Sequence, residues 1–255
     1  MLAEKINSFF TSVSADLPCL NPPLQHDTVD SVNPISDNFI IQIHEVEKQL
    51  RSIDINKSMG PDGIHSWILK DFSHILCGPI CSIFNASISQ SYVPLIWKSA
   101  NVVTIPKVNP PVQENDLRPI SLTPVLAKLL ESYIYKWLWK EYLPHIDKSQ
   151  FGSVRGSSTV LALIDLLQNW YSQTDSKKQA LQILLVDFAK AFDRINHVII
   201  LDKLVRLGVN SVLVNWINAF LYHRQQRVKV GDITSKWSFI NGGVPQGTKL
   251  GPLCL

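Results

Sequence analysis

Ile183-Leu184-Leu185-Val186-Asp187-Phe188-Ala189-Lys190-Ala191-Phe192-Asp193 joins an unbroken apolar run to an acid, two aromatic residues and a second acid. A short apolar run without alternation predicts a strand at 181–188 that is covered on both faces. An acid closing such a strand keeps its backbone in the sheet and sends its carboxylate to the rim, where oxygen ligands suit a hard cation such as Mg2+. Asp187 read alone is equally an ordinary helix-capping acid. Asp193 lies beyond a change of chain direction and is expected to cap or pair with a neighbouring group, pointing away from Asp187. Phosphoryl transfer on two metal ions, about 3.5–4 Å apart, needs at least two well-placed carboxylates. This stretch places one.

Outward from it, hydrophobic periodicity alternates with turn signals. A short amphipathic helix opens the chain, and residues 15–36, with Pro18, Pro22, Pro23 and Pro34, read as a linker. From about Asp37 the stripe Phe39, Ile43, Val46, Leu50 and Ile53 predicts a helix, ended by the loop Lys57-Ser58-Met59-Gly60-Pro61-Asp62-Gly63. Trp67, Ile68, Ile75, Leu76, Ile80 and Phe84 support one or two more helices. A strand is expected at 101–105, stopped by Pro106, and a long helix at 124–142 before Pro144. Helical spacing returns at 159–171, 197–206 and 210–222, and a hairpin pairs 226–230 with 237–240.

With 255 residues, 45% of them hydrophobic, and seven Trp, the chain can bury a substantial core. A net charge of +3 permits a polyanionic partner without demanding one. Cys19, Cys77, Cys81 and Cys254 show no paired framework, which points to a reducing compartment. His74, Cys77 and Cys81 have helical spacing, but no second ligand pair follows, so buried small side chains are favoured over zinc. The amino terminus lacks the pattern of a signal peptide, and no apolar run is long enough to span a bilayer. These features predict a soluble, intracellular protein. His223, Arg224, Arg227 and Lys229 beside Tyr222, and Lys177 with Lys178, read either as phosphate contacts or as solvated charge at loops and strand edges.

Several motifs in fixed order carry a resemblance. Lys57 to Ile64, Thr104-Ile105-Pro106-Lys107, Asn115 to Leu122, Gln150 to Thr159, Val186-Asp187-Phe188 through Asp193, and Gly243-Val244-Pro245-Gln246-Gly247-Thr248 together resemble the reverse transcriptase domain of non-LTR (LINE-like) retrotransposons over roughly residues 40–255. The resemblance implies an α+β, right-hand polymerase represented by its fingers and part of its palm, helix-rich with a small incomplete palm sheet. Its divisions would be an N-terminal segment and linker (1–36), an N-terminal extension with fingers (37–175) and a partial palm (176–255). The complete enzyme would be an RNA-directed DNA polymerase, a nucleotidyltransferase adding dNTPs to a primer 3′-hydroxyl on an RNA template with two Mg2+ ions. Nuclear action would follow.

Residue by residue, the resemblance makes Asp187 the catalytic acid and metal ligand and gives Phe188 a metal-binding carbonyl. Lys107 and Arg118 become triphosphate contacts, which as bare residues could simply end strands in water. Phe192 would exclude a ribose 2′-hydroxyl, and Gln246 and Gly247 would lie beside the nascent pair. The family's aromatic-x-Asp-Asp hairpin is not found in these 255 residues. This chain alone is therefore expected to be marginally stable and inactive, and the alternative reading is a non-catalytic nucleic-acid-binding remnant of a retroelement.

Overall fold

The computed structural model describes residues 2–22, 37–177 and 180–251. Pro23 and Pro34, Lys178 and Cys254 from the sequence reading lie outside those residues. In chain order the helices are α1 (Leu2–Ser12), α2 (Ile43–Arg51), α3 (Ser66–Asp71), α4 (Ser73–Ser89), α5 (Leu95–Lys98), α6 (Val125–Tyr142), α7 (Thr159–Lys177), α8 (His197–Arg206) and α9 (Ser211–Leu221). The strands are β1 (Ser99–Pro106), β2 (Leu117–Leu122), β3 (Arg224–Val230), β4 (Ile233–Thr234) and β5 (Ser238–Ile240). Helices packed on one mixed sheet make the fold α+β.

Local chemistry sets several boundaries. The Glu45 carboxylate accepts from Gln42 N–H at 3.1 Å while Glu45 N–H bonds the Gln42 carbonyl, closing the start of α2. Asn196 caps α8 through Val198 N–H (2.9 Å), and Asn210 caps α9 through Val212 N–H (2.9 Å). Asn210 N–H in turn donates to Glu141 at 2.7 Å, tying the start of α9 to the end of α6.

The sheet runs β2-β1-β3, with β4 and β5 both pairing with the far side of β3. β1 and β2 are antiparallel, with Ile105 opposite Arg118, whereas β1 and β3 are parallel, with Val102 opposite Val228. α1 crosses one face, where Ile6 packs on Val102 and Val228. The main core lies among the helices and includes Val46, Leu50, Phe84, Leu130, Ile134 and Leu213, all fully buried. Each such side chain contributes about 1.5–3 kcal/mol by leaving water. Cys77 and Cys81 belong to this core as free thiols, and Cys81 donates to the Ile41 carbonyl. Gly60 lies against the β2–α6 junction, where a side-chain carbon would meet Pro124 N at 2.4 Å.

The strand expected at 181–188 is not formed. That segment is irregular, with Leu184 85% and Leu185 82% exposed. Both edges of β1 are taken, by β2 and β3, β4 and β5 fill the far side of β3, and among the described residues no strand, edge strand β2 included, pairs with the run to supply ladder bonds. α7 has the expected helical form, but its Leu163, Ile164 and Leu167 are likewise exposed.

One carboxylate lies inside the core. Glu131 of α6 is wholly buried, and burial pushes its pKa up to about 7 against the pull of Arg224, Lys128 and the backbone N–H groups of Lys249 and Leu250. The unfolded carboxyl loses its proton near 4.5 and the folded one near 7, so the folded state binds that proton more tightly. Stability from this group is therefore present below the lower value and lost as pH rises through the upper one. The urea midpoint of the wild type should fall between pH 5 and pH 8 relative to Glu131→Gln, whose profile should be flatter. A difference between the two that is constant with pH would show the carboxylate already ionised in the fold.

Candidate active site

β1 and β2 meet in a loop at 107–116 that is fixed by its own backbone. Lys107 N–H donates to the Asp116 carbonyl at 2.6 Å, and the Asp116 carboxylate accepts from Val112 and Gln113 N–H at 3.0 and 3.1 Å. Lys107 Nζ donates to the Asn115 carbonyl at 2.8 Å, which folds its stem over the loop. Arg118, one residue into β2, presents an exposed guanidinium.

The segment after Asp187 is locked to the Gly243–Thr248 turn. Val244 N–H donates to the Phe192 carbonyl (2.9 Å), Gly243 N–H to the Ile195 carbonyl (2.8 Å), and Gln246 Nε2 to Asp193 Oδ1 (2.9 Å). His197, fully buried, places Nε2 2.6 Å from the Gly243 carbonyl. A carbonyl only accepts, so Nε2 carries the hydrogen. Burial lowers the His197 pKa, with Arg224 adding to the shift and the Gly243 bond opposing it. The turn also reaches the sheet, because Ser121 N–H donates to the Gln246 carbonyl at 3.0 Å.

Together these contacts wall a cleft of about 370 Å³ lined by Lys107, Arg118, Asp187, Phe188, Phe192 and Gln246, that is, every sequence-predicted site residue except Gly247. Gly247 is the next residue along, exposed, with φ +104. The cleft also takes in Phe9 and Phe10 of α1, Val13 just past its end, and Asn115, Lys190 and Asp193. Sequence reading missed the α1 residues because only the adjacent aromatics Phe9 and Phe10 hint at them. Asp193 does pair with a neighbour, Gln246, yet it lines the same cleft as Asp187 rather than pointing elsewhere. Burial raises its pKa, while the Gln246 bond and Lys190 oppose that shift. The Asp187 carboxylate is exposed and accepts from Phe188 N–H at 2.9 Å.

Among the described residues no carboxylate forms an ion pair with Lys107, Arg118 or Lys190. The cleft thus offers three cations with no such partner, suited to a polyphosphate. The described residues hold no cluster of three or more His, Cys, Asp or Glu suited to a metal. None of the described helices is long and apolar enough to cross a membrane.

The basic cluster at 223–229 divides. Arg224 cannot grip a phosphate: its guanidinium is buried, lies 4.6 Å from the Phe220 ring centre, and shares the core with Glu131. Its position at the start of a strand, alternating inward, decides this. Arg227 donates to Asn101 at 2.7 Å and packs on Trp237, and with Lys229 it faces a second cavity, of about 570 Å³, bounded by the loop at 58–63. His223 is exposed and packs edge-on to Phe239. Lys177 ends α7.

Residues 105–255 match the family described as reverse transcriptase (RNA-dependent DNA polymerase). The chain is 29% identical over 215 residues to the RNA-directed DNA polymerase from mobile element jockey of Drosophila melanogaster, covering 83% of this chain and 23% of that protein. It is 30% identical over 201 residues to the probable RNA-directed DNA polymerase from transposon X-element of the same species, covering 78% and 22%. A retrovirus-related Pol polyprotein from the type-1 retrotransposable element R2 of Popillia japonica is 27% identical over 164 residues, covering 64% and 23%. The chain thus spans less than a quarter of the length of these curated relatives.

Proposed function

Because the chain belongs to the reverse transcriptase (RNA-dependent DNA polymerase) family, as the domain found in non-LTR retrotransposons, we propose that its cleft receives the incoming dNTP of an RNA-directed DNA polymerase. The observation that carries this reading is convergence. The loop after β1, the start of β2, the segment 187–193 and Gln246 are far apart in sequence and line one cavity. In this reading β1, β2 and the helices within 37–175 belong to the N-terminal extension and fingers, and 187–193 with 243–248 belong to the partial palm of 176–255.

Lys107 and Arg118 bind the triphosphate and offset charge that grows as the leaving pyrophosphate departs. Phe192, half-buried against the core, walls the sugar's side, and bulk there leaves no room for a 2′-hydroxyl. Gln246 is held by Asp193 so that its amide N–H is committed and its carbonyl is left for the nascent pair. The exposed Asp187 carboxylate and the Phe188 carbonyl are oxygen donors of the kind that fit Mg2+, and would hold part of its coordination shell. When bound, such an ion lowers the pKa of the attacking hydroxyl and neutralises the phosphates. The cavity faced by Arg227 and Lys229 is the surface best suited to the backbone of an RNA template or DNA primer.

Turnover by this chain alone is not expected, because Asp193, the other carboxylate lining the cleft among the described residues, has one oxygen taken by Gln246 and sits where burial disfavours its charge. Primer extension by the purified chain that Asp187→Ala abolishes would overturn that expectation. Nucleotide binding is the direct test. Titration of dGTP with Mg2+ should show Lys107→Ala weakening affinity about tenfold, equivalent to about 1.4 kcal/mol. Binding that is absent, or unchanged in the variant, would defeat the nucleotide-site reading and favour a remnant that only holds nucleic acid.

A further inference from the structure

We infer that Lys190 is a third triphosphate-binding cation, and that α1 is a wall of the nucleotide site which holds that cation in place through the ring of Phe9. The inference rests on the nucleotide-site reading and adds two elements to it.

Lys190 occupies the left-handed region at φ +54, which a residue with a side chain adopts at a cost that its surroundings must offset. Two bonds hold it there, since Asp193 N–H and Arg194 N–H both donate to the Lys190 carbonyl, at 3.0 and 3.1 Å. This turn sends the ammonium back across the cleft to Phe9, 4.2 Å from the ring centre. A cation over an aromatic face is held electrostatically without losing its charge, and it keeps donors for another partner. No carboxylate forms an ion pair with it among the described residues. Lys107 and Arg118 line the same cleft, so like charges are gathered there. Cations gathered against mutual repulsion are what a polyanion would stabilise.

α1 is fixed at three places, so Phe9 is not on a loose arm. Lys5 pairs with Glu114 at 2.6 Å, beside the Lys107 loop. Glu4 accepts from Lys236 N–H at 2.8 Å, and the buried Asn7 donates to Ser238 Oγ at 3.0 Å. Beyond its end, Arg194 donates to the Val13 carbonyl at 3.0 Å and pairs with Asp16 at 2.7 Å. Arg194 is thereby spent on structure, which leaves Lys190 as the cation of this turn that faces the cleft.

The test is titration of the full chain with dGTP and, separately, with inorganic tripolyphosphate, with folding of each variant checked by circular dichroism. Lys190→Asn, which tolerates the left-handed turn, should weaken both ligands about five- to twentyfold, while Lys190→Arg should retain most of the affinity. Phe9→Leu keeps apolar bulk without the ring face and should weaken both about two- to fivefold. Lys107→Ala reports on the parent reading. If Lys107→Ala weakens binding and Lys190→Asn does not, the inference fails and the nucleotide site stands. If neither variant changes binding, the site itself is wrong and the inference falls with it. Loss in Lys190→Arg equal to that in Lys190→Asn would assign the effect to turn geometry and also overturn the role given to the charge.

Discussion

Trp216→Ala should cost about 3–5 kcal/mol of folding free energy, the range for deleting a large buried aromatic. Trp216 is 1% exposed on α9, stacked on Phe220 with ring centres 5.3 Å apart, and its indole N–H donates to Ser87 Oγ of α4 at 3.1 Å. Ser87 in turn donates to the Tyr92 carbonyl at 2.6 Å. Truncation opens a cavity between α4 and α9 and leaves a buried hydroxyl short of one partner. Because α9 leads directly into β3, the loss should loosen the central strand. Urea unfolding followed by circular dichroism gives the number. Trp216→Phe retains a ring and should lose about 1–2 kcal/mol less. A Trp216→Ala value within about 1 kcal/mol of wild type would mean that α4 and α9 do not share this core.

Elements whose burial is settled by their own periodicity were readable in the sequence. α6 was expected at 124–142 and spans Val125–Tyr142, because its apolar stripe and the following Pro144 are local signals. α8 and α9 are of the same kind, whereas the hairpin of 226–230 with 237–240 is met only at Gln226, since β5 pairs with 224–226 and 229–230 pair with β4. The segment 181–188 failed for the opposite reason. A continuous apolar run states that a strand would be covered, but among the described residues no strand pairs with it. β2 went unread as a strand because Pro119 interrupts it, and the sheet tolerates that proline because β2 is an edge.

At the candidate site, motif order identified the residues that line the cleft but not what holds them. Asp193, His197 and Phe9 act through Gln246, Gly243 and Lys190, all distant in sequence. Arg224 shows the converse error. A basic string suggests a surface grip, but strand alternation puts Arg224 in the core and leaves Lys229 exposed. Charge in the sequence signals electrostatics, and geometry then decides whether it faces a ligand or a buried acid.

Gly243→Ala should separate the two halves of the cleft. Gly243 has φ +77, and a side-chain carbon there would lie 2.8 Å from the Asp193 carbonyl oxygen and 3.0 Å from Asp193 Cα. The left-handed backbone alone costs an alanine about 1–2 kcal/mol. The obstruction is backbone, which cannot rotate away as a side-chain end could, so the turn must move off residues 192–195. Moving it forfeits the bonds to the Phe192 and Ile195 carbonyls and the His197 contact, each worth about 0.5–1.5 kcal/mol. The total is about 2.5–6.5 kcal/mol, concentrated on docking of the turn, whose Val244 is its contact with the helical core. Helical circular dichroism should persist, amide exchange at Val244 should accelerate, and dGTP affinity should fall more than about tenfold. Asp193→Ala removes only the Gln246 bond and should cost less on both readouts. Unchanged exchange at Val244 in Gly243→Ala would mean that the turn is not held against residues 192–195. Unchanged dGTP binding with accelerated exchange would place Gln246 outside nucleotide recognition, since the same turn sets its position through Asp193 on one side and Ser121 on the other.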